Sequence, residues 1–268
     1  MATLHEKQLL IANPAAPKPQ GCVELWAGNE QAHRYVKFAG LDADVLSLPS
    51  GSREGGDLYA LFSCAGETAA RIVLADCVGH GHDASSIAAH IHGLIHRYRD
   101  LPDNSRLLRT LNDEFTLLRR EPDSPLRLST LAVATFDRAS GEFTFSYAAH
   151  PRILFWRARS RRWFMLDGSE GFPVGAFPGS DYSQQSIRVE PADIVLMFSD
   201  AATDVFSLDD EMLTAEGFLE LAQTTLDRFP ARFSLTDFVD ALAEAIRKFH
   251  GSDELEDDLT LLTLRRSH

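Results

Sequence analysis

Residues 55–76, GGDLYALFSCAGETAARIVLAD, decide the fold. LYALFSCA (58–65) and RIVLAD (71–76) are short apolar runs separated by a Gly-containing turn, the pattern of a hairpin of two buried strands. The hairpin opens on Asp57 and closes on Asp76, so two carboxylates stand at one end of it. Downstream, Ile87, Ile91, Leu94 or Ile95, and Tyr98 recur at helical spacing behind a possible Asp83 cap. Leu107, Leu108, Leu111, Phe115 and Leu118 do the same behind Asn104. A second strand-rich stretch follows in LSTLAVATF (128–136), EFTFSYA (142–148), ILFWRA (153–158), WFML (163–166), SQQSIRV and IVLMFSD (194–200). Helical patterns then occupy about 211–227 and 235–249, with Gly251 as a stop, before a final strand, LTLLTLR. Strands and helices come in blocks, which predicts an α+β class with mostly antiparallel sheets covered by helices.

The chain has 268 residues and is 44% hydrophobic, enough for one large core. Residues 1–35 read as an N-terminal tail or extension, and 36–268 as the domain. A formal charge of −13 and the lack of a long Lys/Arg run argue against nucleic-acid partners and anionic membranes. No apolar run approaches the ~20 residues of a membrane span, and the N-terminus lacks the apolar core of a signal peptide. Cys22, Cys64 and Cys77 form no CxxC pair and fit reduced thiols. Together these features predict a soluble, cytoplasmic protein.

Four segments set carboxylates beside predicted strand ends: GGD (55–57), AD (75–76), SD (199–200) and EDD (256–258). Clustered carboxylates suit hard divalent cations, whose charge makes their proximity tolerable. Each aspartate alone is more often a turn residue or cap.

In order, the segments GGDLYA, LADCVGHG, SYAAHPRILFW, FPVGAF, VEPADIVLMFSDAATD and EDDLTLLTLR resemble the metal-dependent protein phosphatases of the type 2C superfamily (PPM). The branch is the one typified by the sporulation phosphatase SpoIIE and the stress phosphatase RsbU. The resemblance runs from about Gly40 to Arg265. It implies a four-layer αββα sandwich of two mainly antiparallel sheets flanked by helices. It also implies two Mn²⁺ or Mg²⁺ ions held by Asp57, Asp76, the Cys77 carbonyl, Asp200 and Asp257, with Asp258 behind them and His80 as a proton donor. The implied reaction is two-metal hydrolysis of phosphoserine or phosphothreonine on a bacterial regulatory protein, such as an anti-anti-sigma (STAS-like) domain. A homodimer is compatible with it, and no sensor domain is apparent. The sequence departs from the family pattern at Ala60, Val78, Ala149 and Ala201. If the glycine expected at position 201 has a positive φ, Ala201 would strain the site. That favours a second reading, a degenerate phosphatase-like domain that binds a phosphoprotein without cleaving it.

Other readings carry less weight. His80-Gly81-His82-Asp83 lacks the downstream Asp-His pair of binuclear zinc hydrolases. GGDLY lacks the second acid of a diguanylate cyclase turn. Arg53 is as much a plain loop residue as a phosphate ligand, and His90, His92 and His96 read as a solvated helix face.

Overall fold

The computed structural model describes residues 24–28, 31–50, 55–63, 67–79, 81–117 and 127–267. Twelve strands and four helices occupy them. The strands are β1 (Glu24–Gly28), β2 (Ala32–Phe38), β3 (Leu41–Leu48), β4 (Asp57–Ser63), β5 (Ala69–Cys77), β6 (Ser129–Asp137), β7 (Glu142–Ala148), β8 (Leu154–Arg157), β9 (Arg162–Met165), β10 (Gln185–Arg188), β11 (Ile194–Phe198) and β12 (Leu259–Arg266). The helices are α1 (Gly81–Tyr98), α2 (Asn104–Leu117), α3 (Thr214–Leu226) and α4 (Leu235–His250). They form two six-stranded sheets, ordered β1-β4-β5-β6-β7-β10 and β2-β3-β12-β11-β8-β9, with every neighbouring pair antiparallel.

Strand alternation builds the layers. In β4 and β5, Tyr59, Leu61, Ile72 and Leu74 face the second sheet, where they meet Val45, Met197 and Leu262. The alternate residues, Leu58, Ala60, Val73 and Ala75, face outward and pack under Ile87 and Ile91 of α1 and Leu107 and Leu111 of α2. On the other side α3 and α4 cover Leu196, Phe198, Leu259 and Leu261. The αββα order expected from the sequence is therefore the observed one.

Two sequence expectations need correction. Residues 24–35, assigned to the extension, supply β1 and most of β2, so the sheets begin before residue 36. Edge strands bury one side only: β2 exposes four of its seven residues and gives a weak hydrophobic pattern. At α2, Asp103 is the cap, its carboxylate accepting from Arg106 N at 2.9 Å. Asn104 is instead fully buried and bonds to Thr135 and Thr144 in the sheet below. The proposed Asp83 cap and Leu118 lie outside the described side chains.

Gly251 ends α4 as expected, with φ 82° and its N–H on the Arg247 carbonyl. The three-histidine face is only partly solvated. His92 stacks on Trp26 of β1 at 3.7 Å between ring centroids, which seals the outer edge of the first sheet.

Candidate active site

Antiparallel register sets Asp57, the first residue of β4, directly opposite Asp76 of β5. Both share the parity of Tyr59, Leu61, Ile72 and Leu74, so both point into the space between the sheets at its open end. The second sheet brings its own acids to the same end. Asp200 begins a single 3-10 turn (Asp200–Ala202) just past β11, and Asp257 and Asp258 immediately precede β12. Asp57 is buried, Asp76 and Asp200 are half-buried, and Asp257 is exposed.

Burial and mutual repulsion put these groups in one field. Asp57 is pushed well above the usual carboxylate range, first by burial and then by the charge of Asp76. Asp76 is raised to about 7 by burial, with Asp200, Asp257 and Asp258 adding to the effect. Asp200 is raised to about 6 by burial, then by Asp257 and Asp204. Asp204 was not singled out by sequence reasoning. Its position four residues after Asp200 was the available signal.

Asp258 is buried and has a structural task. It accepts N–H bonds from Ser50, at 2.7 Å, and from Gly56, tying the loop ahead of β4 to the start of β12. Ser199 Oγ donates to the Asp258 carbonyl and accepts from Thr260 N, locking β11 to β12 beneath the acids. The hydroxyls of Ser199 and Thr260 also reach Asp57, and they offset part of its upward shift.

The residues bear on divalent-ion binding in two ways. Asp57 Oδ2 is buried with no hydrogen-bond partner, an acceptor whose desolvation nothing on the chain compensates. Beside it, Gly56 leaves the Cys77 carbonyl uncovered: a Cβ at position 56 would stand 2.5 Å from that oxygen. Carboxylate and carbonyl oxygens are the donors that Mg²⁺ and Mn²⁺ accept. Among the described residues no three His, Cys, Asp or Glu side chains close into a ready-made cluster. An open set of this kind suits an ion that keeps several waters and takes one or two carboxylates, as Mg²⁺ does. The Cys77 thiol is no donor, since burial pushes it up to about 12 and it lies against Ser129 Oγ. His80, Arg53, Cys22 and Cys64 lie outside the described residues.

Next to Asp200 is a cavity of about 510 Å³ whose wall includes Thr130, His150, Arg152, Asp204 and Glu216. His150 is buried, its Nδ1 2.8 Å from Thr130 Oγ1, and burial lowers its pKa to about 3, so the ring is neutral. The sequence placed His150 in a resemblance segment without assigning it a role.

Of the departures from the family pattern, Ala201 is unstrained: it lies buried within the 3-10 turn, and the positive φ falls instead at Ala149, at 54°. An L-residue there costs about 1–2 kcal/mol. Ala149→Gly should therefore stabilise the protein by about 1 kcal/mol, and Ala201→Gly should destabilise it by a similar amount. Urea midpoints measured at unchanged m-value check both signs.

The fold and the chain's sequence match known proteins. The Bacillus subtilis phosphoserine phosphatase RsbU is 25% identical over 232 residues, 84% of this chain. The chain spans 63% of that relative's length. The structure of the PP2C phosphatase domain of Bacillus subtilis SpoIIE, with a fragment of its regulatory domain, superimposes with a TM-score of 0.67 at 15% identity. It covers 91% of this chain and 70% of that one. RsbX in complex with magnesium superimposes with a TM-score of 0.62 at 15% identity, covering 88% of this chain and 100% of that one. Among the described residues, no helix is long and apolar enough to cross a membrane. The family model described as Stage II sporulation protein E (SpoIIE) matches residues 66–267, and the chain belongs to that family.

Proposed function

We propose that this chain is a metal-dependent phosphoprotein phosphatase, acting on phosphoserine or phosphothreonine of a regulatory protein partner. The observation that carries the reading is the pair Asp57 and Asp76. They face each other between the sheets, with an unpartnered Asp57 oxygen beside an uncovered Cys77 carbonyl. Asp57, Asp76 and the Cys77 carbonyl would hold the ions from the first sheet, and Asp200 and Asp257 from the second. Bound Mg²⁺ or Mn²⁺ would supply Lewis acidity and a water that ionises near neutral pH.

The chain's own groups do the rest. The Ser199 and Thr260 hydroxyls offset part of the upward shift of Asp57, while Asp258 holds the backbone just ahead of it. Asp204 keeps a negative field at Asp200. Neutral His150 keeps a single N–H of very weak acidity, which leaves water or His80 to protonate the leaving alkoxide. The relative named a phosphoserine phosphatase and the magnesium-bound structural neighbour support the reading. A partner of the anti-anti-sigma type and a cytoplasmic site of action belong to the same proposal.

Phosphate release from a phosphoserine peptide tests it. Turnover should require Mn²⁺ or Mg²⁺, stop with EDTA, and fall at least ~10²-fold in Asp200→Asn, as loss of an electrostatic anchor does. Folded protein that binds the phosphopeptide but releases no phosphate with either ion would establish the non-cleaving module instead.

A further inference from the structure

At the opposite end of the sandwich from the aspartates lies a cavity of about 560 Å³ with the reverse electrostatic character. Lys37, Arg161, Arg232, Arg265 and Arg266 all line it, and Asp42 is the single acid in its wall. In a chain of formal charge −13 this is a local inversion, of the sort that concentrates anions. Asp258 immediately precedes β12 and Arg265 is its penultimate residue, so at ~3.3 Å per residue the cavity is roughly 23 Å from the acids.

The wall is built rather than incidental. Arg265 donates to the Phe233 carbonyl at 2.8 Å and to Asp42 at 3.4 Å, and its guanidinium lies over the Phe233 ring at 5.6 Å. It is thus held in place within the cavity wall. Arg266 is bound to the Val189 carbonyl and contributes mainly charge. Arg161 and Arg232 are exposed and, among the described residues, make no ion pair. Behind these cations the lining is apolar: Trp156, Ile194, Leu226, Phe229 and Phe233. The α3–α4 connection, FPARF (229–233), supplies both the aromatic wall and one arginine.

Each property restricts the ligand. The volume lies in the range of small-molecule sites. Arginines outnumber lysine, and planar guanidinium forks favour phosphate through paired hydrogen bonds. Aromatic rings backed by a fixed guanidinium offer a stacking surface for a planar ring. We propose that this cavity is a second binding site, remote from the aspartates, for a phosphate-bearing planar ring compound of mononucleotide size. The site stands whether or not the aspartates catalyse phosphate release.

Calorimetric titration of the full chain with ADP in EDTA tests it, because chelation removes any metal-dependent binding among the aspartates. ADP should bind, with adenosine and inorganic phosphate each at least about tenfold weaker, since each supplies half of the recognition. The exposed pair Arg161→Ala/Arg232→Ala should weaken ADP at least about tenfold with an unchanged melting temperature, and Asp76→Asn should leave ADP affinity as it is. No heat at millimolar ADP overturns the proposal, as does equal affinity in the double arginine variant or loss of binding in Asp76→Asn.

Discussion

Asp76→Asn should abolish phosphate release and at the same time make the metal-free protein more stable at pH 8. The carboxylate is half-buried, and burial first and its acidic neighbours second push its pKa up to about 7 from an ordinary 3.8. Between those values the folded state holds a proton that the unfolded chain has released. The relative stability so gained is fully present below about pH 4 and is lost as pH rises through 7. At pH 8 the fold carries the ionised group at a cost of about 2–4 kcal/mol, and an amide removes it. Melting in EDTA should therefore show Asp76→Asn several degrees above wild type at pH 8 and level with it at pH 4. Divalent cation should raise the wild-type melting point and raise that of the variant less, since binding to the folded state alone stabilises it. A variant less stable than wild type at pH 8 in EDTA would show that Asp76 holds the fold together instead of straining it. The burial and like-charge repulsion that destabilise the ionised site are what a cation would offset, so one residue carries both effects.

Gly55→Ala should strongly destabilise the protein. A Cβ there would overlap the Asp258 carboxylate, whose oxygens accept from Ser50 N and Gly56 N. Asp258 is buried, so it cannot swing aside into water without abandoning both charge-assisted bonds. The expected loss is about 3 kcal/mol or more, together with displacement of Asp57 two residues on. Gly93→Ala is the matched control. Gly93 lies exposed in α1 with nothing within 4 Å of its would-be Cβ, and alanine there should stabilise by about 0.5–1 kcal/mol. Urea denaturation of the two variants should give opposite shifts. A Gly55→Ala protein as stable as wild type, with Asp57-dependent turnover intact, would show that the loop has room the structure does not display.

Where the hydrophobic pattern is strong, the sequence suffices to place the elements. β4, β5, β7 and β12 bury nearly every residue or alternate cleanly, and α4 runs between a Ser234 cap and a left-handed Gly251. β1 and β2 are edge strands that bury too little to leave a pattern, β3 is buried but its apolar run is interrupted by Asp42, Asp44 and Ser47, and Asn104 reads locally as a cap because its buried contacts to Thr135 and Thr144 come from distant chain. The four acidic segments were visible in the sequence because aspartates at strand ends are a local feature. Their convergence was not, since it depends on the β4–β5 register and on two sheets ending at the same level.

By itself the sequence determined the α+β class and the identity of the acids at the strand ends, and its family resemblance implied the αββα layering. Only the tertiary structure decided what each acid does. Asp258 anchors a loop and Asp57 keeps an unpartnered oxygen. The strain expected at Ala201 resides at Ala149. It also gathered cations scattered from Lys37 to Arg266 around one cavity. Periodicity and capping are written within a few residues of chain, whereas burial, charge coupling and close backbone approach arise between residues that meet only when the sheets pack.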